Sequence, residues 1–464
     1  MKYVSTRGTA PVLTFDEVLL TGLARDGGLY VPDSWPMLSP GRLRSYADWP
    51  YADVATDVMW PFVEGTIDQD VFAELVDDAY SSFRHPDVVP LVELGGNLHL
   101  LELFHGPTLA FKDVALQLVG HLFDHELTKR GERVTIVGAT SGDTGSAAIE
   151  ACRDRDAIDI VVLHPKGRTS EIQRKQMTTV LSDNVHNVAI DGTFDDCQDL
   201  VKAMFNDLPF RDRHHLSAVN SINWARILAQ VVYYVKAAAQ LGAPERPVSF
   251  TVPTGNFGNV FAGWVARRMG VPIRHLVVGS NRNDILPRFF DSGVMQMEGV
   301  TPTTSPSMDI QVSSNFERLL FELCGRNGAT VTHLMSRFRD EGVMDVGPER
   351  LAMAQETFQS ASIDDAAVAR VIAATYRRTG HLVDPHTAVG LGAAAMHHDP
   401  SIPMVCLATA HPAKFPDAVE DAVGIRPELP PHLADLFDRP ERFVELPNDL
   451  AVVEDHVASC TMSR

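Results

Sequence analysis

The chain has 464 residues, of which 45% are hydrophobic and 22% charged, and its formal net charge is −20. This length is too great for a single small core, so two or three domains are expected. The acidic balance argues against nucleic acids and anionic membranes as partners, although a local pocket can still bind an anionic small molecule. No apolar run approaches the ~20 residues that a membrane-spanning helix requires.

Short apolar segments separated by proline and glycine characterise the first 95 residues. Residues 46–63 and 69–83 have helical periodicity, which predicts a mainly helical N-terminal domain over residues 1–95. Residues 88–103 follow, with apolar stretches on both sides of Gly95-Gly96-Asn97. This arrangement predicts a hairpin of two strands.

From Lys112 onward, predicted helices alternate with continuous apolar strands. The first helix ends at Lys129-Arg130-Gly131, where basic residues and a glycine form a stop signal. Strands are predicted at 134–137, 158–163, 185–190, 248–252 and 404–407, and helices at 146–153, 170–181, 194–205, 224–241, 260–269, 366–378 and 387–397. Such strands are typical of parallel sheets covered on both faces. We therefore predict α/β domains over residues 96–245 and 246–464, with the proline-rich tail from Pro427 crossing the surface.

The cysteines carry no sign of a metal or disulfide framework. Their number is odd and none has the paired spacing of metal or redox motifs, as the positions show: Cys152, Cys197, Cys324, Cys406 and Cys460. No signal-peptide pattern opens the sequence. We therefore predict free thiols, a cytoplasmic location and no bound metal.

The segment HGPTLAFKD at residues 105–113 places Lys112 behind a Gly-Pro turn and an apolar lead-in, Leu109-Ala110-Phe111. Burial lowers the pKa of a lysine side chain, and this makes the free amine available. A free amine is what a Schiff base with an aldehyde cofactor requires. Taken alone, a lysine in this setting is more often a surface residue of a helix.

Two glycine-rich turns are each predicted to lie between the end of a strand and the start of a helix. They are SGDTG at residues 141–145 and PTGNFGN at residues 253–259. Such turns present backbone N–H groups and the positive end of a helix to an anion, and open parallel sheets bind ligands at the carboxyl ends of their strands. Taken alone, either turn can also serve only as a cap and a tight bend. Neither matches the P-loop or the dinucleotide-binding pattern.

Thr409 follows the apolar strand near 403–407, inside ATAHPAKFP. A hydroxyl at a strand end can hydrogen-bond an unprotonated pyridine nitrogen, whereas a carboxylate there would keep the ring protonated. No acidic residue lies in this segment to take that place. Thr409 alone is explained equally well as a capping hydroxyl, but a lysine together with two anion-binding turns is the minimum that pyridoxal phosphate requires.

In this order, HGPTLAFKD, SGDTG, PTGNFGN and ATAHPAK resemble the motifs of the longer threonine synthases of bacteria and fungi. Residues 3–8, 27–32 and 307–321 also match, so the resemblance runs from near residue 1 to about Pro416. It implies the tryptophan synthase β-like fold, in which pyridoxal phosphate lies between two mostly parallel-sheet α/β domains, with a mainly helical N-terminal domain added. The implied reaction converts O-phospho-L-homoserine and water to L-threonine and phosphate, by a monomer or a homodimer.

The resemblance also assigns roles to individual residues of the cofactor site. Lys112 would attach the cofactor covalently and transfer protons as a general base. Thr409 would face the pyridine nitrogen. The cofactor phosphate would be held by the second glycine turn, with the residues Gly255, Asn256, Phe257, Gly258 and Asn259.

The substrate residues follow from the resemblance and from local context. The first glycine turn would grip the substrate carboxylate, with the residues Ser141, Gly142, Asp143 and Thr144. Asp143 stands where many relatives of this fold have asparagine, so the grip would depend on backbone N–H groups and Thr144. Candidates for the leaving phosphate are Ser307, Arg318 and Lys414, which offer hydroxyl and cationic donors.

Three other functions are compatible with parts of the sequence. A serine/threonine dehydratase of the same fold would need no substrate-phosphate site and usually lacks a long N-terminal domain. A catalytically inert binding protein is disfavoured because Lys112 and both anion-binding turns are present. A nucleotide-binding α/β protein is disfavoured because no matching phosphate motif occurs.

Overall fold

The computed structural model describes residues 1–218 and 221–462. Most of the described chain is helical or lies in strands of two larger sheets. Among these residues, no helix combines the length and the apolar composition that a membrane crossing requires.

The strands are short, and most are buried. In chain order they are β1 (Tyr3–Ser5), β2 (Tyr30–Pro32), β3 (Leu91–Gly95), β4 (Leu98–Glu102), β5 (Val134–Ala139), β6 (Ile158–Pro165), β7 (Val185–Asp191), β8 (Leu216–Ser217), β9 (Val248–Pro253), β10 (Ile273–Ser280), β11 (Val294–Gln296), β12 (Val343–Asp345), β13 (Phe358–Ser362), β14 (Met404–Ala408) and β15 (Val444–Pro447).

The helices cover the sheets and form most of the N-terminal region. In chain order they are α1 (Phe15–Thr21), α2 (Pro40–Ser45), α3 (Tyr51–Val63), α4 (Gln69–Ser81), α5 (Lys112–Arg130), α6 (Asp143–Cys152), α7 (Glu171–Thr178), α8 (Phe194–Asn206), α9 (Leu208–Arg213), α10 (Trp224–Gln240), α11 (Gly258–Arg268), α12 (Ile285–Ser292), α13 (Phe316–Leu323), α14 (Gly328–Glu341), α15 (Pro348–Gln355), α16 (Asp365–Thr379), α17 (Pro385–His397), α18 (Pro416–Val423) and α19 (Leu450–Met462).

The chain forms two compact units, each built from separate stretches of sequence. The first unit consists of Met1–Asp77, Phe83–Phe111 and Ser221–Pro427. The second consists of Asp78–Ser82, Lys112–Asn220 and Glu428–Arg464. These units differ from the predicted division after residues 95 and 245, because the chain leaves the first unit and returns to it.

The sheet of the first unit has the strand order β13-β10-β9-β14-β4-β3. All neighbouring strands are parallel except the hairpin of β3 and β4, which confirms both the predicted hairpin and the mostly parallel sheet. Every residue of β9 and β14 is buried, as expected for strands covered on both faces. Because β4 pairs with β14, the hairpin belongs to this sheet rather than to the unit that follows it in the chain.

The sheet of the second unit has the order β15-β7-β6-β5-β8, and all its pairs are parallel. Its core joins β5, β6 and β7 to α8 and α19, where Val453 and Val457 are fully buried. The tail was expected to cross the surface. Instead, β15 extends the sheet and α19 covers it, since Val453 and Val457 are four residues apart and share one helix face.

The predicted helix at 46–63 begins later in the structure, at Tyr51, where α3 starts. Pro50 precedes it as the N-cap residue. A proline lacks the N–H of a helix interior and disfavours helical backbone in the residue before it, so the helix cannot extend back to residue 46. The second predicted helix of this region is present as α4.

Helices α5 and α6 pack closely at Gly120. A Cβ added to Gly120 would lie 2.2 Å from the carbonyl oxygen of Ala151, which is a backbone atom and cannot rotate away. Only glycine therefore allows this approach, which holds the helix of Lys112 against the helix of the first glycine turn.

We predict that Gly120→Ala lowers the free energy of unfolding by about 1–3 kcal/mol, because the helices must separate to admit a methyl group. Urea denaturation would measure this change. Gly41→Ala is the control, since a Cβ at Gly41 would meet nothing within 4 Å. Equal urea midpoints for the two variants would show that the α5–α6 contact is not this close.

Candidate functional site

Lys112 is the first residue of α5 in the second unit, and only 9% of it is exposed. The eight residues after it are buried as well, so the start of this helix lies inside the unit. The Nζ atom of Lys112 donates a hydrogen bond to Oδ2 of Asp143 at 3.2 Å. Lys112 is thus buried, as its apolar lead-in suggests, and it also has a carboxylate partner that sequence reasoning did not assign.

The turn SGDTG forms the start of α6, which begins at Asp143, three residues before the predicted helix. Gly142 precedes the helix with φ +147°, a backbone conformation that other residues rarely adopt. The backbone N–H groups of Gly142 and Gly145 both donate to Oγ1 of Thr140 at 2.9 Å. Backbone N–H groups of this turn were predicted to bind a carboxylate, but those of Gly142 and Gly145 are engaged by Thr140, which the sequence analysis missed.

The side chains of this turn differ in their surroundings. Ser141 is exposed and Thr144 is half-buried, whereas Asp143 is buried and accepts hydrogen bonds from two other side chains. The second of these donors is Gln173 of α7, whose Nε2 lies 2.8 Å from Oδ1 of Asp143. Binding of the substrate carboxylate by Ser141 and Thr144 remains a prediction.

The second glycine turn lies at the carboxyl end of β9 in the first unit and leads into α11. A Cβ on Gly255 would lie 2.8 Å from the carbonyl oxygen of Ser307, so only glycine fits against this segment. Phe257 has φ +63°, and it redirects the chain into the helix. A Cβ on Gly258 would meet Ile227 at 3.2 Å and Asn315 at 3.3 Å.

Hydrogen bonds fix the orientation of the peptide groups in this turn. The carbonyl oxygen of Gly255 accepts from Oγ of Ser313 at 2.7 Å, and that of Asn256 accepts from the backbone N–H and the Nδ2 of Asn315 at 3.1 and 3.0 Å. In a trans peptide, the N–H of the next residue points the opposite way. The N–H groups of Asn256 and Phe257 therefore point away from residues 313–315, together with the positive end of α11.

Asn259, in the first turn of α11, has an amide group whose orientation is set by two tyrosines. Its Oδ1 accepts hydrogen bonds from the hydroxyls of Tyr233 and Tyr234, and burial raises the pKa of Tyr234 well above its ordinary value, so this hydroxyl stays protonated. Asn259 is 7% exposed, and its Nδ2 has no partner in the described part of the chain. A buried donor without a partner beside a helix N-terminus fits a phosphate group.

Arg226 of α10 is a residue that sequence reasoning missed. It is 5% exposed, and its Nε and Nη1 have no partner among residues 1–218 and 221–462. Burial lowers the pKa of Arg226 to about 10, so the side chain is still charged at neutral pH. An unpaired buried cation is costly, which indicates a site for an anion. The signal was a lone arginine in a helix that is otherwise apolar at its start, WARILA.

Arg226 lies on the same helix face as the residues that contact the second glycine turn. Gln230 and Tyr233 follow it at four and seven residues, and the Tyr233 hydroxyl bonds both Gln230 and Asn259. The next residue along, Ile227, is the side chain that a Cβ on Gly258 would meet. The unpaired cation and the glycine turn therefore belong to one region of the first unit.

Thr409 lies directly after β14, and it is 6% exposed. Its carbonyl oxygen accepts a hydrogen bond from the N–H of Phe111 at 2.9 Å. Since β14 and β9 are parallel neighbours, Thr409 and the second glycine turn emerge at the same edge of the sheet. The position is the one that the sequence analysis predicted, and the contact of its hydroxyl with a ring nitrogen remains a prediction.

The three candidates for the leaving phosphate all belong to the first unit. Ser307 donates its N–H to Nε2 of His386 at 3.3 Å, and Lys414 is fully buried and donates to the carbonyl oxygen of Thr108 at 2.8 Å. Arg318 is also fully buried, and it donates to Asn315 and to the carbonyl oxygens of Tyr30 and Ile222. These contacts favour a structural role for Arg318, and the phosphate role of all three remains a prediction.

Three protein-family models match the chain and together cover most of it. "Threonine synthase N terminus" matches residues 2–80, "Pyridoxal-phosphate dependent enzyme" matches residues 88–409, and "Threonine synthase, C-terminal" matches residues 387–457. The chain is also 55% identical to a threonine synthase of Pseudomonas aeruginosa over 460 residues, which is 99% of this chain and 98% of that protein.

Solved structures give the same result. The chain resembles a PLP-bound threonine synthase from Brucella melitensis with a TM-score of 0.98 and 53% identity, and all of both chains is covered. A threonine synthase from yeast has a TM-score of 0.95 and 38% identity, over 100% of this chain and 99% of that one. The sequence comparison and the structure comparison therefore both find threonine synthases as relatives.

We predict that Gly255→Ala weakens the binding of pyridoxal phosphate about tenfold or more, a loss of about 1.4 kcal/mol. The added Cβ would lie 2.8 Å from the Ser307 carbonyl, so the turn must move away from its anion-binding geometry. Absorbance titration of the ligand-free protein would measure the Kd. Gly299→Ala is the control, since nothing lies within 4 Å of its Cβ. Unchanged affinity in Gly255→Ala would mean that the phosphate binds elsewhere.

Proposed function

The chain belongs to the threonine synthase family, and we propose that it is a pyridoxal-phosphate enzyme that converts O-phospho-L-homoserine and water to L-threonine and phosphate. The observation that carries this proposal is that the chain, 99% of which aligns with a threonine synthase, also contains a buried lysine and a glycine turn whose backbone N–H groups could bind a phosphate. The reaction is a γ-elimination of phosphate followed by addition of water at the β-carbon.

The residues of the second glycine turn fit the cofactor phosphate. The backbone N–H groups of Asn256 and Phe257 would bind its oxygens, and the unpartnered Nδ2 of Asn259 would add a further donor. The glycines at 255 and 258 keep side-chain atoms out of the space around the turn. When bound, pyridoxal phosphate supplies an aldehyde that captures amines and a ring that accepts electrons from the substrate carbon.

Lys112 is the residue proposed to attach the cofactor and to move protons. Its Nζ would take a proton from the α-carbon of the bound substrate and return protons later in the cycle. Thr409 would face the ring nitrogen with a neutral hydroxyl. Because no acidic residue lies beside Thr409 in its segment, this contact would leave the nitrogen unprotonated.

Arg226 is the residue that we propose for the substrate phosphate. A phosphate monoester carries close to two negative charges at neutral pH, and in a buried site these charges need matched donors. The guanidinium of Arg226 is buried, charged and unpartnered in the described chain, whereas Arg318 and Lys414 already donate to backbone carbonyls. Ser307, Arg318 and Lys414 remain proposed as further contacts, and Ser141 and Thr144 as contacts of the substrate carboxylate.

The cellular setting is also proposed. Free cysteines and the small, charged substrate support a cytoplasmic location. A serine/threonine dehydratase activity is the alternative, and its substrates carry no phosphate for Arg226 to bind.

Borohydride reduction of the yellow holoenzyme should fix the cofactor on the peptide that contains Lys112, and Lys112→Ala should lower turnover by a factor of about 10²–10⁴ or more. Mass spectrometry of the digested protein would locate the label, and Lys129→Ala, on the exposed end of the same helix, is the control. A label on any other lysine would refute the assignment.

The function itself is tested by comparing kcat/KM for phosphohomoserine, homoserine, serine and threonine under one set of conditions. We expect phosphohomoserine to be preferred over homoserine by a factor of about 10² or more, since truncating a charged, hydrogen-bonded group costs several kcal/mol. Threonine and phosphate should form in equal amounts. Release of ammonia and a 2-oxo acid from threonine, without threonine formation from phosphohomoserine, would identify a dehydratase instead.

A further inference from the structure

Asp143 joins two side chains that approach it from different helices of the second unit. Its Oδ2 accepts from Nζ of Lys112 at 3.2 Å, and its Oδ1 accepts from Nε2 of Gln173 at 2.8 Å. All three side chains are buried, with exposed fractions of 9% for Lys112, 6% for Asp143 and 6% for Gln173. Each carboxylate oxygen of Asp143 thus has its own donor.

The amide of Gln173 is held in the orientation that this contact needs. Ser170, the N-cap residue of α7, donates from Oγ to Oε1 of Gln173 at 3.0 Å and accepts from its backbone N–H at 3.3 Å. With Oε1 accepting from Ser170, Nε2 is the atom left to face Asp143. The amide therefore acts as a donor toward the carboxylate.

Gly142 completes this arrangement by steric fit. A Cβ on Gly142 would lie 2.3 Å from Oε1 and 2.4 Å from Cδ of Gln173, so only glycine allows the amide to reach Asp143. Gly142 of the first glycine turn therefore has two functions. It is the N-cap residue of helix α6, and it leaves room for the side chain of Gln173.

Helix α7 is in turn anchored by the tail of the second unit. Glu441 accepts hydrogen bonds from Thr178 at 2.7 Å and pairs with Lys175 at 3.0 Å and with Arg174. The backbone N–H of Arg442 donates to the carbonyl oxygen of Thr178 at 2.7 Å. These contacts fix the helix that carries Gln173.

We propose that Asp143 is the carboxylate partner that stabilises the ammonium form of Lys112, and that Gln173 is a positioning residue that acts through Asp143. The part of this inference that concerns turnover rests on the proposed function. When Lys112 takes the α-proton, a C–H bond breaks, an N–H bond forms at Nζ, and the amine becomes an ammonium. A carboxylate at hydrogen-bond distance stabilises that charge.

The role of Gln173 follows from the geometry of the carboxylate. By donating to Oδ1, its amide satisfies one oxygen and leaves Oδ2 directed at Lys112. A glutamine can do this without adding charge, whereas a cation at this position would compete with Lys112 for the carboxylate. Loss of the donor would leave Oδ1 buried without a partner, and the carboxylate would then be free to turn away from Lys112.

The first test measures how fast pyridoxal phosphate attaches to Lys112 in the full-length protein freed of cofactor, by absorbance and borohydride trapping. Attachment needs the neutral amine, so Asp143→Asn should speed it about tenfold and Gln173→Met about threefold. The double variant should match Asp143→Asn, because Gln173 acts through Asp143. Slower or unchanged attachment in Asp143→Asn, or additive effects in the double variant, would overturn the proposal.

The second test uses the holoenzyme. Both single variants should lower kcat for phosphohomoserine and increase the isotope effect of α-deuterated substrate, while KM changes less than about twofold. Gln69→Met, on the exposed start of α4, is the matched control and should change none of these values. A loss of kcat that only follows losses in thermal stability and cofactor occupancy would indicate a merely structural role.

The two tests separate the inference from the proposed function. Cofactor attachment to Lys112 does not depend on the substrate. If attachment responds as expected and phosphohomoserine is not converted, the pairing of Asp143 with Lys112 stands and the proposed reaction fails. If phosphohomoserine is converted and attachment does not respond, the reaction stands and the pairing has no role.

Discussion

Parallel pairing of β9 and β14 is the interaction on which the candidate site of the first unit depends. It brings the carboxyl ends of the two strands to one edge of the sheet, so the second glycine turn and Thr409 leave the sheet side by side. Both strands are buried along their whole length, and burial of that apolar surface fixes their register. The packing of the apolar core thus determines the positions of the second glycine turn and Thr409 at this edge.

Buried donors without partners lie close to this edge of the sheet. Buried polar atoms normally have partners, and leaving one unpaired costs about 1–3 kcal/mol. Nδ2 of Asn259 and two nitrogens of Arg226 lack partners in the described residues, although their neighbours Tyr233, Tyr234 and Gln230 are engaged in hydrogen bonds. An anion that binds these donors would offset this free-energy cost. The chain therefore holds these donors in a buried setting, where their attraction to phosphate is stronger than in water.

Sequence alone predicted the parts that depend on local pattern. The strand at 185–190 and the helix at 224–241 match β7 and α10 closely, because continuous apolar runs and helical periodicity are strong signals. The strands β10 and β15 and the helix α19 were missed. In the case of β15 the reason is that the strand is short and exposed at the edge of its sheet, so it lacks the continuous apolar run of a buried strand. The partner of Lys112 could not be predicted either. Asp143 is 31 residues away, and only the packing of α5 against α6 brings it near.

The route of the chain has a consequence for how the protein acquires its structure during synthesis. The second unit takes β15 and α19 from the last segment of the chain, after the whole of residues 221–427 has been translated. Until then, β7 is an open sheet edge and the apolar face of α8 that Val453 and Val457 will cover is bare. A nascent chain on the ribosome therefore carries an incomplete sheet for some 200 residues of translation, at about 5–20 residues per second. Helper proteins that shield such edges would find an exposed target here.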